Sequence, residues 1–174
     1  MTMDTGLIHI YCGDGKGKTT AAAGLAARCS GGGGRAAFFQ FLKDNTSGER
    51  AALIKSGVDV IDGYEDLGKI WTFTEEQVRD MFVWYEDKFR EIRKIAAKYD
   101  LLVLDEAIDA VNYGYIRRDT ILSFLREKPA ELEIVLTGRN PEREFLEIAD
   151  YVTEMQKIKH PYDKGTVARK LIEF

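Results

Sequence analysis

The run Gly13-Asp14-Gly15-Lys16-Gly17-Lys18-Thr19-Thr20 constrains this chain more than any other feature. A strand-like apolar stretch, Leu7 to Cys12, leads into it, and a helix-forming stretch, Ala21 to Arg28, follows. A glycine-rich turn between strand and helix, closed by Lys-Thr, is a cradle for a phosphate chain. Its glycines let successive backbone N–H groups approach one anion. The helix N-terminus behind them adds a positive partial charge. Lys18 brings a full charge, and the Thr19 hydroxyl is a suitable Mg²⁺ ligand. The expected ligand is a nucleotide polyphosphate, held by Gly13, Asp14, Gly15, Lys16, Gly17, Lys18, Thr19 and Thr20.

The loop is one residue shorter than the usual pattern between its first glycine and its Gly-Lys pair. Cys12 stands where the outer glycine would be, and Lys16 is an additional cation. The cradle is therefore cramped and more basic than usual, and a nucleotide need not lie in it in the usual direction.

The second acidic element is Leu101-Leu102-Val103-Leu104-Asp105-Glu106, an apolar strand ending in two carboxylates. A carboxylate at a strand's carboxyl end holds Mg²⁺ beside bound phosphates, directly or through water. Acidic residues also end strands for no functional reason; the pairing with the glycine loop makes the functional reading the stronger.

Other apolar runs complete an α/β pattern. Ala36–Phe41, Val58–Ile61, Ile134–Thr137 and Tyr151–Met155 read as strands, and the Gly31–Gly34 run ends the first helix. Leu101–Leu104 is nearly all apolar, as a parallel strand covered on both faces must be. From about Glu75 to Lys98, Val78, Met81, Phe82, Tyr85, Phe89, Ile92 and Ile95 recur at helical spacing, and Thr74 with Gln77 reads as a capping box. A helix is predicted from Asp119 to Arg126, and another from Asn140 as cap with Pro141 at its first position. This order implies a three-layer α/β fold of the P-loop NTPase kind, with a mostly parallel central sheet and ligands at the carboxyl ends of its strands. No repeat or linker divides residues 1–174, so one domain is expected.

Composition narrows the class. The 45% hydrophobic and 31% charged content suits a soluble globular protein. A net charge of −4 does not suggest a nucleic-acid surface. Two cysteines, Cys12 and Cys29, make no disulfide framework and read as packing thiols. Neither a signal peptide nor a run of membrane-spanning length is present, so a cytoplasmic enzyme is expected.

At this point the chain resembles the ATP:corrinoid adenosyltransferases of the P-loop type, the cob(I)alamin adenosyltransferases. The resemblance runs from about Ile8 to Phe174. It is carried by residues 13–22, Gln40-Phe41-Leu42-Lys43, Leu104-Asp105-Glu106-Ala107, Tyr113-Gly114-Tyr115, Leu136-Thr137-Gly138-Arg139, and the end pieces 152–155, 158–162 and 172–174. Such enzymes take a reduced corrinoid and ATP; Co(I) attacks the ribose C5′ and triphosphate leaves. The resemblance implies that ATP sits reversed in the loop, and it implies a homodimer and a reductase or flavodoxin-like electron donor. Cobalt is the nucleophile, so neither a side-chain nucleophile nor a general base is required.

Lys16, Lys18, the loop N–H groups and Mg²⁺ are then the groups that neutralise the departing triphosphate. Thr19 and Glu106 are the first choices for the Mg²⁺ shell, with Asp105 the competing or more distant carboxylate. The family uses aromatic groups to displace the corrinoid's lower axial ligand, which makes Co(II) easier to reduce. Here Trp71 and Phe73 occupy the segment that commonly reads Gly-x-Gly-Phe-Thr-Trp, with the two rings exchanged and the second glycine missing; core packing is the alternative for both. Asp14 replaces a frequent Asn and either faces away or touches the metal. Arg139 is placed to reach a phosphate or to form a surface ion pair. His160 contacts a substrate or makes a structural hydrogen bond, Asn112 and Tyr115 are weaker candidates for the corrinoid side, and His9 reads as structural. About six residues precede the first strand, so any cover over the corrinoid is expected to be short, absent or supplied by a neighbouring subunit.

Two rivals remain. A small-molecule kinase or NTPase would make ADP or AMP rather than triphosphate. A non-catalytic ATP-binding regulator would show no turnover with reduced corrinoid.

Overall fold

Six short strands share one sheet because their side chains alternate between two apolar faces. The computed structural model describes residues 5–65, 67 and 73–172. The strands are β1 (Ile8–Cys12), β2 (Ala36–Gln40), β3 (Asp59–Ile61), β4 (Leu101–Asp105), β5 (Glu133–Thr137) and β6 (Tyr151–Glu154). The helices are α1 (Lys18–Gly31), α2 (Gly48–Lys55), α3 (Glu75–Ile95), α4 (Ala107–Asn112), α5 (Arg118–Glu127) and α6 (Arg143–Ile148). The strand order is β3-β2-β4-β5-β1-β6, and every pairing is parallel.

Ile8, Ile10, Phe39, Leu102, Leu104, Ile134 and Leu136 point to one face. There they meet Met81, Tyr85, Phe89 and Ile92 of α3, Ile121, Leu122, Phe124 and Leu125 of α5, and Phe145 of α6. Phe38, Leu101, Val103 and Val135 point to the other face, under α1 and α2. Period-2 alternation on buried strands thus yields three layers. Each fully buried Phe or Leu contributes about 1.5–3 kcal/mol. The face that α1 presents is made of Ala22 and Ala26, both 0% exposed. Small side chains let that helix, and the loop leading into it, lie close to the sheet.

Local expectations needed four adjustments. The α-helix of α3 stops at Ile95 and a 3₁₀ turn covers Ala96–Lys98. Its capping box forms as read, with Thr74 and Gln77 bonded reciprocally. The helix expected at Asn140-Pro141 begins at Arg143 instead, capped by Glu142. Asn140 is left-handed (φ 49°), and Asn112 Nδ2 donates to the carbonyls of Arg139 and Asn140, which holds this segment as a loop. The last strand ends at Glu154 and lies exposed along the sheet edge. Finally, α2 and α4 were not foreseen; eight and six residues carry too little periodicity to announce a helix.

Between α3 and α5 a groove of about 380 Å³ is lined by Glu86, Arg90, Arg93, Lys94, Arg117 and Thr120. Its arginines are matched by carboxylates: Arg90 with Asp87, Arg93 with Glu127, Arg117 with Glu86. Glu86 accepts from the Arg117 backbone N–H and the Thr120 hydroxyl, so it fixes the start of α5 onto α3. We read this groove as an ion-pair network of the scaffold.

Candidate active site

The loop between β1 and α1 turns sharply because Gly13 (φ 97°) and Gly17 (φ 115°) are left-handed, a region closed to most side chains. Gly17 caps α1, whose first turn therefore faces the cleft. Lys18 Nζ donates to the carbonyls of Gly13 (2.7 Å) and Gly15 (2.9 Å). Burial and the neighbouring Arg139 charge lower the Lys18 pKa, against the opposing pull of Asp109, Glu106 and Asp14. The ammonium is curled back over the loop.

The outer limb of the loop is clamped by the chain that follows β6. Gly15 N–H donates to the Met155 carbonyl at 2.6 Å. A Cβ on Gly15 would lie 2.5 Å from that oxygen, so only glycine fits. Asp14 accepts from the Lys157 backbone N–H (3.0 Å), which holds its carboxyl below the usual range. One Asp14 oxygen is thus engaged by the chain after β6, while the residue still lines the cleft. Lys16 Nζ reaches the Ile172 carbonyl at 3.4 Å.

The carboxyl end of β4 supplies the acidic wall. Asp105 is fully buried. Its Oδ1 accepts from the Thr137 hydroxyl (2.7 Å), and its Oδ2 from Thr19 Oγ1 (3.2 Å), Gln40 Nε2 (3.2 Å) and Lys43 Nζ (3.3 Å). Glu106 caps α4 in a left-handed conformation (φ 58°). Burial, with Asp105 and Asp109 nearby, raises its carboxyl to about 7 in spite of Lys43. Asp105 is thus the carboxylate in direct contact with Thr19, while Glu106 stands beside them, 3.6 Å from Lys43 Nζ.

Glu49 and Asp109 join the site without having been singled out in the sequence, and Lys43 and Thr137, quoted there only within motifs of the resemblance, join it without an assigned role. Burial opposes the Lys43 charge, but Asp105, Glu106 and Glu49 outweigh it and hold its pKa above the ordinary value. The available signal was Gln40 and Lys43 just past an apolar strand, where parallel sheets bind ligands. Asp109 accepts from Arg139 N–H at 3.2 Å and thereby positions the loop carrying Arg139.

These residues enclose a cleft of about 640 Å³, lined by residues 14–20, Lys43, Glu49, Glu106, Asp109, Thr137, Arg139 and the tail residues His160, Leu171 and Ile172. His160 also makes a structural hydrogen bond, accepting at Nδ1 from Tyr162 N–H. Asn112 and Tyr115 do not join the lining: Asn112 braces the Arg139 loop and Tyr115 is buried in the core. His9 pairs with Glu133 and stacks on Tyr151, a structural placement. Phe73 packs half-buried against the main apolar cluster; Trp71 lies outside the described residues.

Mg²⁺ prefers hard oxygen ligands. Thr19, Asp105 and Glu106 offer such oxygens around one point, where the Lys43 ammonium stands in as a cation. The donor set fits the ion. Among the described residues no group of three or more His, Cys, Asp or Glu is gathered to hold a metal unaided. Phosphate oxygens are the natural completion of such a shell.

Comparison with known proteins agrees with this geometry. The family profile of ATP:corrinoid adenosyltransferase BtuR/CobO/CobP matches residues 4–174. A corrinoid adenosyltransferase of Sinorhizobium sp. is 37% identical over 99% of this chain and 82% of its own length. The corrinoid adenosyltransferase CobA of Salmonella typhimurium is 34% identical over 98% of this chain and 87% of its own. Among solved structures, a KaiC-like protein of Pyrococcus horikoshii superposes with a TM-score of 0.51 at 18% identity, covering 90% of this chain and 74% of that one, which speaks to the α/β fold alone. No helix among the described residues is long and apolar enough to cross a membrane. With its lysine-doubled loop, its acidic strand end and a match across nearly its whole length, this chain belongs to the ATP:corrinoid adenosyltransferase family.

Proposed function

We propose that this protein transfers the 5′-deoxyadenosyl group of ATP to the Co(I) centre of a reduced corrinoid and releases triphosphate. The cobalt electron pair forms the Co–C5′ bond, the C5′–O bond breaks, and its electrons leave on triphosphate. No proton moves, so no acid or base is needed. The observation that carries the reading is the shortened loop, where Lys16 and Lys18 share a single cleft with Glu106, and buried Asp105 holds the Thr19 hydroxyl beneath it. A leaving group that bears the whole phosphate chain needs its charge met along the chain, and fixed donors in a partly dry site do this without reorganising. Lys18 and the loop N–H groups bind the chain at the cradle, Lys16 and Arg139 meet it at the rim, and Asp109 keeps Arg139 in place. Mg²⁺, bound through Thr19 with Asp105 and Glu106, would neutralise and orient the phosphates.

The remaining parts of the reading rest on the family. The family's displacement of the corrinoid's lower axial ligand by aromatic groups is assigned to Trp71 and Phe73. The protein works in the cytoplasm as a homodimer that takes electrons from a reductase or flavodoxin-like donor. The outer edge of β6 pairs with no further strand among the described residues, and with Tyr151 and Val152 exposed it is consistent with a second subunit there.

The test is anaerobic incubation with ATP, Mg²⁺ and chemically reduced cobalamin. The expected result is the visible spectrum of an alkylated cobalt, with intact triphosphate as co-product. ADP or AMP in place of triphosphate would favour a kinase or NTPase, and no turnover would favour a regulator.

A pH dependence follows from Glu106. A carboxyl raised to about 7 is half neutral at that pH and mostly neutral about one pH unit lower, whereas an Mg²⁺ ligand must be ionised. Binding of Mg·ATP therefore expels a proton, and affinity falls by up to about tenfold per pH unit below the raised pKa. Calorimetry in buffers of different ionisation enthalpy will show this release. Glu106→Gln will abolish the proton release and raise the Mg²⁺ concentration required.

A further inference from the structure

Lys43 occupies the cage that the proposed Mg²⁺ would need. Its Nζ lies 3.3 Å from Asp105 Oδ2, 3.4 Å from Thr19 Oγ1, 3.5 Å from Glu49 Oε1 and 3.6 Å from Glu106 Oε1. Four side chains from three segments, the start of α1, the start of α2 and the carboxyl end of β4, thus surround one ammonium, and three of them are the residues argued above to hold the metal. The stem beneath it is fixed. Leu42 is left-handed (φ 55°), its N–H donates to the Tyr85 hydroxyl at 2.8 Å, and Phe41 N–H donates to the Asp105 carbonyl at 2.9 Å. These contacts swing residue 43 back over the sheet end. The side chain beyond them is 27% exposed and opens on the cleft, so the ammonium has room to leave while the backbone stays.

We propose that Lys43 is a resident counter-ion of the divalent-cation site, displaced when Mg²⁺ arrives with ATP and then turned onto the phosphate chain as a third lysine beside Lys16 and Lys18. In this position the ammonium keeps Thr19, Asp105 and Glu106 assembled and offsets carboxylates that would otherwise repel. It also excludes a bare cation, since ammonium and Mg²⁺ compete for the same oxygens and repel at such separations. Only Mg²⁺ accompanied by ATP supplies both the missing metal ligands and a new anionic partner for Lys43. The device makes metal loading conditional on nucleotide. It rests on the Mg²⁺ reading above.

The test is Mn²⁺ titration followed by electron paramagnetic resonance, on protein without nucleotide and again with ATP; no corrinoid is involved. Wild type is expected to take up Mn²⁺ well only with ATP. Lys43→Met, which keeps the length and removes the charge, should bind Mn²⁺ without nucleotide at least tenfold more tightly than wild type, about 1.4 kcal/mol. The same variant should bind ATP about tenfold more weakly in Mg²⁺ buffer. Lys43→Arg should restore the exclusion of nucleotide-free Mn²⁺. Unchanged or weaker nucleotide-free Mn²⁺ binding by Lys43→Met would overturn the counter-ion role, and unchanged ATP affinity would overturn the move onto phosphate. Should Lys43→Met fail to fold, the side-chain ¹⁵N resonance of Lys43 in wild type decides: it must shift with Mg·ATP and not with Mg²⁺ alone. Failure of wild type to bind Mn²⁺ even with ATP would instead sink the Mg²⁺ reading itself.

Discussion

Replacing Lys18 with alanine will lower adenosylation about 10²–10³-fold and weaken ATP binding in step. This ammonium bonds the Gly13 and Gly15 carbonyls, so it sits at the cradle. Its loss leaves the phosphate charge unmet at the point where the loop is tightest. A charge-assisted hydrogen bond there is worth about 1.5–3 kcal/mol to binding, and more where charge grows during reaction. Lys18→Arg is expected to rescue poorly, because a planar fork does not fit a pocket shaped for a point charge. Calorimetric ATP binding and the anaerobic assay give the two readouts. Wild-type ATP affinity in Lys18→Ala would place the phosphates elsewhere.

Asp105→Ala will act on both stability and function. Asp105 is 0% exposed and accepts from Thr137, Gln40, Thr19 and Lys43. Alanine takes a shared acceptor from four donors; Gln40 and Lys43 keep Glu49, but the Thr137 and Thr19 hydroxyls lose the partner they donate to. Breaking a buried pair from one side costs about 3–5 kcal/mol, a large share of the margin of an ordinary domain. Urea unfolding should show the midpoint fall accordingly, with nucleotide binding lost as well. Asp105→Asn keeps the shape and one acceptor oxygen, and should cost about 1–2 kcal/mol. A midpoint within experimental error of wild type for Asp105→Ala would contradict the network described here.

The site residues fall into two groups by how they could be read. The phosphate loop was legible because its function is local: strand, glycines, lysine and threonine are contiguous, and the backbone itself does the binding. Asp105 and Glu106 were legible as a strand end, but their division of labour was not. Which carboxylate meets Thr19 depends on the register that sets Gln40 beside Asp105, and on Thr137 in the intervening β5. The Asn140-Pro141 signal misled because the Asp109 and Asn112 side chains pin that segment as a loop, a constraint from α4 that no local pattern carries.

Lys43 shows the limit most clearly. It is separated from Asp105 by 62 residues, and nothing near it in the chain marks it as part of a cation site. The amino-acid order alone determined the layered α/β plan, the nucleotide cradle and the family, since periodicity and contiguous motifs depend only on near neighbours. The tertiary structure decided which acid touches the threonine, that the tail after β6 clamps the loop at Gly15, and that a lysine fills the metal cage. Those are distances between strands far apart in sequence, and they exist only once parallel pairing has fixed the register of the sheet.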